Sequence, residues 1–237
     1  MMSALQEANS PDFFPHVEEV TEALVRRFGR PTLGNKQNPF SELLYILLSS
    51  KTPPDRYQEV YRALRRVYKR AESLADARPE DVAKVISHGG LQNRKGRAIV
   101  SIARRLRQEF GRVTLAPVLK MTNEEAEAFL TSLPEVSKKT ARCVLMYALE
   151  RCVFPVDAHC FRIAQRLRWM PEDSYLTDRR ADELQDGIPA HLRRDLHVGM
   201  VLLGRYYCFP RSPRCRECPL EEFCPMKDTV SDSRQQT

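Results

Sequence analysis

This sequence has no long hydrophobic run, since no stretch approaches the roughly 18 apolar residues that a membrane-spanning helix needs. Its first residues, MMSALQEANSPDFF, lack the positive charge followed by an apolar segment that is typical of a secretory signal. Strand signals are nearly absent, and we find neither internal repeats nor a low-complexity linker. We therefore expect an all-α, cytoplasmic protein with no membrane partner.

The charge of the chain is moderately positive. Lys and Arg together number 38 and Asp and Glu 31, which gives a net charge of +7. Such a balance favours a polyanionic partner, because clustered Lys and Arg displace counterions from phosphates. Ordinary solvated helix faces would give the same composition, so charge alone permits nucleic acid as a partner without requiring it.

Helical periodicity recurs along the whole chain. Asn38 and Thr52 are each followed by Pro, a pairing that predicts an N-cap and a first helical turn. Thr122 and Glu125 have the spacing of a capping box. The predicted helices cover residues 13–28, 40–48, 57–67, 79–88, 93–110, 126–130, 140–149, 157–167, 178–185 and 189–203. Residues 228–237 are polar and lack periodicity, which predicts a disordered tail.

The seven cysteines fall into two groups. Cys143, Cys152 and Cys160 are scattered in apolar sequence and are expected to be small buried side chains. The other four follow the pattern Cys208-x6-Cys215-x2-Cys218-x5-Cys224. Zinc sites usually combine two C-x2-C pairs, or Cys with His, whereas uneven all-cysteine spacing suits a cubane with widely separated corners. The spacing therefore favours an iron–sulfur cluster and leaves zinc as the alternative.

The segment 133–141, LPEVSKKTA, joins two predicted helices through a tight turn. Such a hairpin directs main-chain N–H groups and a helix N-terminus outward, which suits a DNA phosphate. The alternative is a plain helical turn with solvated lysines. Lys139 can also be interpreted as a nucleophile. Its neutral amine is favoured by the helix dipole, by the neighbouring Lys138 and by partial burial. That amine can attack C1′ of a damaged nucleotide and form a Schiff base.

Such a nucleophile needs an acidic partner that takes up a proton and offsets the positive charge developing on the sugar. Asp157, in the sequence Val-Asp-Ala-His, follows Lys139 by a helix and a loop. A lone Asp ahead of a helical run is most often an N-cap. The two roles are compatible, so Asp157 is predicted to fill both.

Five stretches together resemble the endonuclease III family of helix-hairpin-helix DNA glycosylases. They are LPEVSKKTARCVL, VDAHCFRIAQRL, GRYYCFPRSPRCRECPLEEFC, GLQNRKGRAI beginning at Gly90, and LLSS followed by Lys51. Their order and separation match the family, and the resemblance covers residues 15–226. The cysteine spacing is the family's cluster signature, so the resemblance implies a 4Fe-4S cluster bound by Cys208, Cys215, Cys218 and Cys224.

The resemblance implies a two-lobed, all-α helix-hairpin-helix DNA glycosylase fold. One lobe is a six-helix domain at residues 32–151, with the hairpin motif at about 125–149. The other combines residues 1–31 with 152–237 and contains the cluster loop, 208–224. The implied partner is double-stranded DNA with damaged bases or abasic sites, bent in the cleft with the lesion flipped out. The protein would be a nucleoid-associated monomer.

The implied activity is base excision repair: excision of oxidised pyrimidines followed by β-elimination at the abasic site. By position Lys139 is the nucleophile and Asp157 the catalytic acid. The remaining implied DNA contacts are Lys51, Leu91, Gln92, Asn93, Lys95, Val136, Ser137, Lys138, Thr140, His159, Arg211 and Arg214. Among them Leu91 is the apolar wedge for the opened base stack.

Two departures from the family pattern affect these expectations. The hairpin normally reads Leu-Pro-Gly-Val-Gly, but Glu135 and Ser137 replace both glycines. Glycine tolerates positive φ and close approach to a phosphate, so we expect the hairpin to bind phosphate more weakly, by about 1–3 kcal/mol. The second departure is Lys51 in place of Gln. Lysine donates but cannot accept a hydrogen bond, which changes the expected opposite-base preference.

Two alternative functions remain from the sequence. One is a mismatch-type glycosylase of the same superfamily, although members that work without a Schiff base lack a lysine at the position of Lys139. The other is a weakly active or non-catalytic iron–sulfur DNA-binding paralogue, in which the altered hairpin has lost the chemistry.

Overall fold

The computed structural model describes residues 13–227 of the chain, and these residues form helices, turns and short 3-10 segments with no strand. The predicted all-α fold is confirmed. None of the helices in this described part combines the length and apolar character needed to cross a membrane. The disordered tail predicted for residues 228–237 lies outside the described residues.

The α-helices, in chain order, are α1 (Val17–Phe28), α2 (Pro39–Ser49), α3 (Pro54–Val67), α4 (Glu72–Asp76), α5 (Pro79–Val85), α6 (Gln92–Phe110), α7 (Asn123–Thr131), α8 (Lys138–Ala148), α9 (Ala158–Arg166), α10 (Asp178–Asp186) and α11 (Arg193–Tyr206). The five-residue α4 was not predicted, because it is too short for periodicity to reveal it.

Three of the four predicted caps are present, at Asn38, Thr122 and Asp157. The side chain of Asn38 accepts a hydrogen bond from Ser41 N at 2.9 Å at the start of α2. The complete capping box of Thr122 and Glu125 opens α7. The cap predicted at Thr52 is wrong, because α3 begins after Pro53 with no side-chain cap, and the Thr52 hydroxyl donates instead to Gly89 O.

The first helix starts later than the periodicity predicts, at Val17 rather than at residue 13. Phe14 has its own packing partner, since its ring stacks on Trp169 with centroids 5.3 Å apart. Its N–H also donates to Gly187 O at 2.9 Å, and His16 then takes a left-handed conformation with φ 55°. These contacts hold the chain in a turn before the helix begins.

The described residues divide into two compact units, one formed by Thr32–Pro155 and the other by the residues up to Pro31 together with those from Val156 onward. The first boundary lies at the predicted residue, and the second lies four residues after the predicted residue 151. We propose that these units are the two lobes that the resemblance implies.

The Thr32–Pro155 unit is built around α2. Almost all of this helix is buried, from Phe40 to Leu48, and it packs against α3 and α8. α6 packs against α4 and α5, and α7 packs against α8. Cys143 is buried in α8 as predicted, but Cys152 is exposed, because it lies in the extended segment after α8 has ended.

In the second unit, α11 packs against both α1 and α9. The approach to α1 is close at Gly199, where an added Cβ would lie 2.7 Å from Leu24 Cβ, so any side chain there would push the two helices apart. Cys160 is fully buried, as predicted. This packing supports the loops that carry Asp157 and the four terminal cysteines.

Candidate active site

The hairpin between α7 and α8 keeps the main-chain path expected of a glycine-containing turn. Glu135 has φ 63°, the left-handed conformation that glycine adopts without strain. Ser137 has φ −80° and is the N-cap of α8, with its Oγ accepting from Thr140 N at 3.3 Å. Ser137 therefore occupies a position that does not require positive φ, and it adds a cap to α8. The weaker phosphate binding expected of the hairpin stays a prediction.

Three ion pairs involve residues at or beside the hairpin. Glu135 lies 2.6 Å from the guanidinium of Arg94, which belongs to the first turns of α6. Glu127 of α7 contacts the buried Arg142 at 2.6 Å and Lys138 at 3.4 Å. Part of the positive charge near the hairpin is therefore already balanced by carboxylates of the same unit.

Val136 and Thr140, both predicted DNA contacts, have buried side chains. Val136 N also donates to Leu133 O at 3.2 Å within the turn. Any DNA contact of these two residues is thus restricted to main-chain atoms. Ser137 is exposed and Lys138 partly exposed, so both present side-chain atoms at the surface of the hairpin.

Lys139 lies half-buried in the first turn of α8, where the main-chain N–H groups give the helix its positive end. The fully buried Glu42 of α2 lies within electrostatic range of it. Burial raises the pKa of Glu42 above its usual value, while hydrogen bonds from Lys36 N and Asn35 and the charge of Lys139 act to lower it. Lys139 therefore has a buried acid in its surroundings.

Two adjoining loops carry the side chains predicted to enter the opened base stack. Lys51, with φ 51°, and Leu91, with φ 52°, are both left-handed non-glycine residues, and both are exposed. The loops adjoin, because the Thr52 hydroxyl bonds to Gly89 O and a Cβ added at Gly90 would lie 3.6 Å from Lys51 O. Gln92 is partly exposed and Asn93 exposed in the adjacent first turn of α6, and their DNA contacts stay predictions.

Lys95 is not available as a DNA contact, which corrects the prediction made for it. Its side chain is only 6% exposed and points inward between the two loops. Its Nζ lies 3.0 Å from Leu48 O, 2.8 Å from Ser50 O, 2.9 Å from Thr52 Oγ1 and 2.8 Å from Gly89 O. Burial lowers the pKa of Lys95 to about 8.

In the other unit, Asp157 is the N-cap of α9, as predicted. Its Oδ1 accepts from His159 N at 2.8 Å and from Cys160 N at 2.9 Å. The His159 ring is half-buried, and Arg162 Nη2 lies 3.0 Å from its Nδ1. A guanidinium only donates, so this contact is a hydrogen bond when Nδ1 of the ring is unprotonated.

The environment of His159 favours the neutral form. Burial lowers its pKa, and the charges of Arg162 and Arg205 act in the same direction, whereas Asp157 and a main-chain hydrogen bond at Gly204 oppose them. His159 is therefore a hydrogen-bonding group at neutral pH rather than a cation.

The four terminal cysteines line one pocket, together with Arg166 and Tyr207. The pKa of Cys218 is raised to about 12, first by burial and then by repulsion from the negative charges that the neighbouring thiolates would carry. Burial likewise raises the pKa of Cys224. Arg166 Nη1 lies 2.9 Å from Cys208 Sγ. Among residues 13–227, no three His, Cys, Asp or Glu side chains are grouped as ligands of a single metal ion.

Arg211 and Arg214 are both exposed beside this pocket. Arg214 lines the pocket and places its guanidinium 5.9 Å from the centre of the Phe209 ring. Their predicted phosphate contacts stay predictions.

Three residues of the site were not found from the sequence. Glu42 had one signal, an acidic residue within an otherwise apolar helical run. Arg94 and Glu127 had none, because their roles come from partners that lie 41 and 15 residues away along the chain.

The chain is similar to known base excision DNA repair proteins. The sequence profile described as HhH-GPD superfamily base excision DNA repair protein matches residues 44–187. Endonuclease III of Thermotoga maritima is 32% identical over 215 residues, which cover 88% of this chain and 92% of that protein. Endonuclease III of Escherichia coli is 30% identical over 197 residues, covering 83% of this chain and 88% of that one.

Among solved structures, a non-covalent endonuclease III–DNA complex is similar with a TM-score of 0.78 at 23% identity. It covers 92% of this chain and 97% of that one. At this identity the likeness bears on the fold alone, and it confirms the all-α helix-hairpin-helix glycosylase fold that the resemblance implied.

Proposed function

This chain belongs to the endonuclease III family within the HhH-GPD superfamily of base excision DNA repair proteins, and on that premise we propose a bifunctional activity for it. The protein excises oxidised pyrimidines from double-stranded DNA and then cleaves the abasic site by β-elimination. The observation that carries this proposal is the position of Lys139, a half-buried amine in the first turn of α8, directly after the hairpin.

In the proposed reaction, Lys139 Nζ attacks C1′ of the damaged nucleotide. The bond between C1′ and the base breaks, and its electron pair leaves with the base. As the sugar ring opens, one amine proton passes by way of the Asp157 carboxylate to the ring oxygen O4′, and the other stays on the nitrogen of the protonated Schiff base. Loss of a C2′ proton then expels the 3′ phosphate, which nicks the strand. We propose that Asp157 provides the carboxylate that takes up a proton and offsets the positive charge on the sugar.

The activity is tested with a duplex that contains one oxidised pyrimidine. We expect release of the base and a strand nick that forms without added alkali. Base release with a nick that appears only after alkali would indicate a glycosylase without lyase activity, as in a mismatch-type enzyme. Binding without base release would indicate a non-catalytic paralogue and would overturn the proposal.

The cysteine pocket fits a 4Fe-4S cluster by its donor chemistry. Four half-buried thiols line one pocket, and a bound cationic centre would allow all four to ionise beside one another. Cys208, Cys215, Cys218 and Cys224 would hold the cluster, which would tie the C-terminal loop to α9 and α11.

We predict that Cys218→Ser loses the iron, the acid-labile sulfide and the broad visible absorbance of such a cluster. The thermal midpoint should also fall, because metal ligation contributes directly to the stability of the fold around it. Cys152→Ser is the matched control, since Cys152 is exposed and lies in the other unit. Stoichiometric zinc without sulfide in the wild-type protein would contradict the cluster.

Glu135 is predicted to weaken DNA binding through its pairing with Arg94. Glu135→Gln keeps the size of the side chain but frees the Arg94 guanidinium for a phosphate. DNA affinity should therefore rise by about tenfold, or ~1.4 kcal/mol, and the salt dependence should steepen by about one phosphate contact. Fluorescence anisotropy with abasic-analogue duplex at several salt concentrations measures both quantities.

The control for this prediction is the double variant Glu135→Gln with Arg94→Gln, which should bind no more tightly than the wild type. Unchanged affinity in the single variant would show that the ion pair does not compete with DNA.

Because Ser137 caps α8, Ser137→Gly alone should lower the stability of the hairpin rather than raise it, by about 0.5 kcal/mol or less.

A further inference from the structure

We propose that Lys95 is a positioning residue that holds Lys51 and Leu91 at a fixed separation, so that both side chains enter the opened base stack as one unit. The inference rests on the proposed function, which makes these two side chains the ones that meet the orphaned base. Lys95 itself does not touch DNA.

The contacts of Lys95 join two loops that are far apart in sequence. Leu48 O, Ser50 O and Thr52 Oγ1 belong to the end of α2 and the loop after it, whereas Gly89 O belongs to the loop before α6. An ammonium has three N–H groups, so at least one of them is shared between two of the four oxygens. One buried cation therefore fastens both loops at once.

The location of the cation also suits the end of α2. The last carbonyls of a helix have no partner within the helix and form its negative end. Leu48 O is one of these carbonyls, and Ser50 is the C-cap residue. The Lys95 ammonium therefore supplies a donor to Leu48 O, a carbonyl in the buried last turn of α2.

The residues that Lys95 contacts lie close in the chain to Lys51 and Leu91, the two residues with left-handed conformations. Ser50 and Thr52 are the immediate neighbours of Lys51, and Gly89 precedes Leu91 by two residues. Both Lys51 and Leu91 hold left-handed conformations that cost on the order of 1–3 kcal/mol each in a non-glycine residue. Such conformations persist only where the surroundings fix them, and the Lys95 ammonium joins these two loops together with the hydrogen bond from the Thr52 hydroxyl to Gly89 O.

The test is the selectivity of binding for the base opposite the lesion, measured with the full-length protein. Duplexes carry a tetrahydrofuran abasic analogue opposite each of the four bases, so the measurement needs no catalysis. We expect the wild type to bind these duplexes with different affinities. In Lys95→Met the ratio between the best and the worst opposite base should fall by about tenfold, because the two loops no longer hold their spacing.

The matched control is Arg104→Met. Arg104 also lies on α6 and also donates to two main-chain carbonyls, Ala75 O and Ala77 O, both at 3.0 Å, but away from the two loops. It should lower the thermal midpoint without changing the selectivity ratio. Thr52→Val is the second variant, and it removes one ligand of the Lys95 ammonium together with the direct hydrogen bond from the Thr52 hydroxyl to Gly89 O. We expect the selectivity ratio of Thr52→Val to fall too, by less than that of Lys95→Met. This variant keeps the proposal testable where Lys95→Met does not fold.

The proposal would be overturned if the affinity ratio between the best and the worst opposite base were the same in the wild type, Thr52→Val and a folded Lys95→Met. It would also be overturned by a wild type that binds all four duplexes equally. A reduced ratio in Arg104→Met as well would also overturn it, because general loosening of the unit would then be the cause. Failure of the proposed function would give a different result. The wild type would then excise no base, while its affinity for the four duplexes could still be measured.

Discussion

Lys139→Gln will abolish the covalent adduct that borohydride traps between the protein and abasic DNA. The Schiff base requires a primary amine at the attacking position, and glutamine keeps the length and polarity of the side chain without supplying that amine. Strand cleavage should fall by orders of magnitude, because removal of a covalent nucleophile eliminates the pathway rather than slowing one step. The adduct is measured by denaturing gel after reduction with borohydride.

Lys138→Gln is the matched control for this experiment. Lys138 is adjacent in the same helical turn, and its ammonium lies 3.4 Å from Glu127. Its loss removes one positive charge from the hairpin, so DNA affinity should fall modestly while the adduct still forms. An adduct of normal yield in Lys139→Gln, or one lost in Lys138→Gln alone, would assign the nucleophile to another amine.

Local signals in the sequence predicted much of this structure. Asn38, the Thr122–Glu125 box and Asp157 were each identified as caps because a short polar side chain precedes a periodic run, and this relation spans only three residues. Thr52 has the same signal, but its hydroxyl bonds to Gly89, which is 37 residues away. A tertiary contact of this kind overrides a local preference and leaves no mark in the neighbouring sequence.

The charged residues show the same limit. Lys95 lies between Arg94 and Gly96 in a run that is rich in basic residues, so a solvent-facing contact with DNA was the natural expectation. Its burial follows from carbonyl groups at Leu48, Ser50 and Gly89, and every residue has such a group, so side-chain types cannot reveal them. The pairing of Glu135 with Arg94 likewise depends on the packing that places α6 beside the hairpin.

Asp157→Asn should separate the two roles of Asp157, because asparagine can fill one of them and not the other. As an N-cap, asparagine accepts main-chain hydrogen bonds about as well as aspartate, so the cap of α9 should persist. The lost charge at the helix N-terminus costs about 0.3–1 kcal/mol. A neutral amide cannot take up a proton or offset the charge of the opening sugar, and base excision should therefore fall by about 10²–10⁴-fold.

Single-turnover excision and thermal unfolding of Asp157→Asn and Asp157→Ala provide the comparison. Alanine should lose the same catalytic factor and, in addition, about 1 kcal/mol of stability, because Oδ1 no longer accepts from His159 N and Cys160 N. If the loss of activity followed the loss of stability across the two variants, the carboxylate would act only through the helix that it caps. Equal catalytic losses with unequal stabilities would require the charge of Asp157 in the reaction itself.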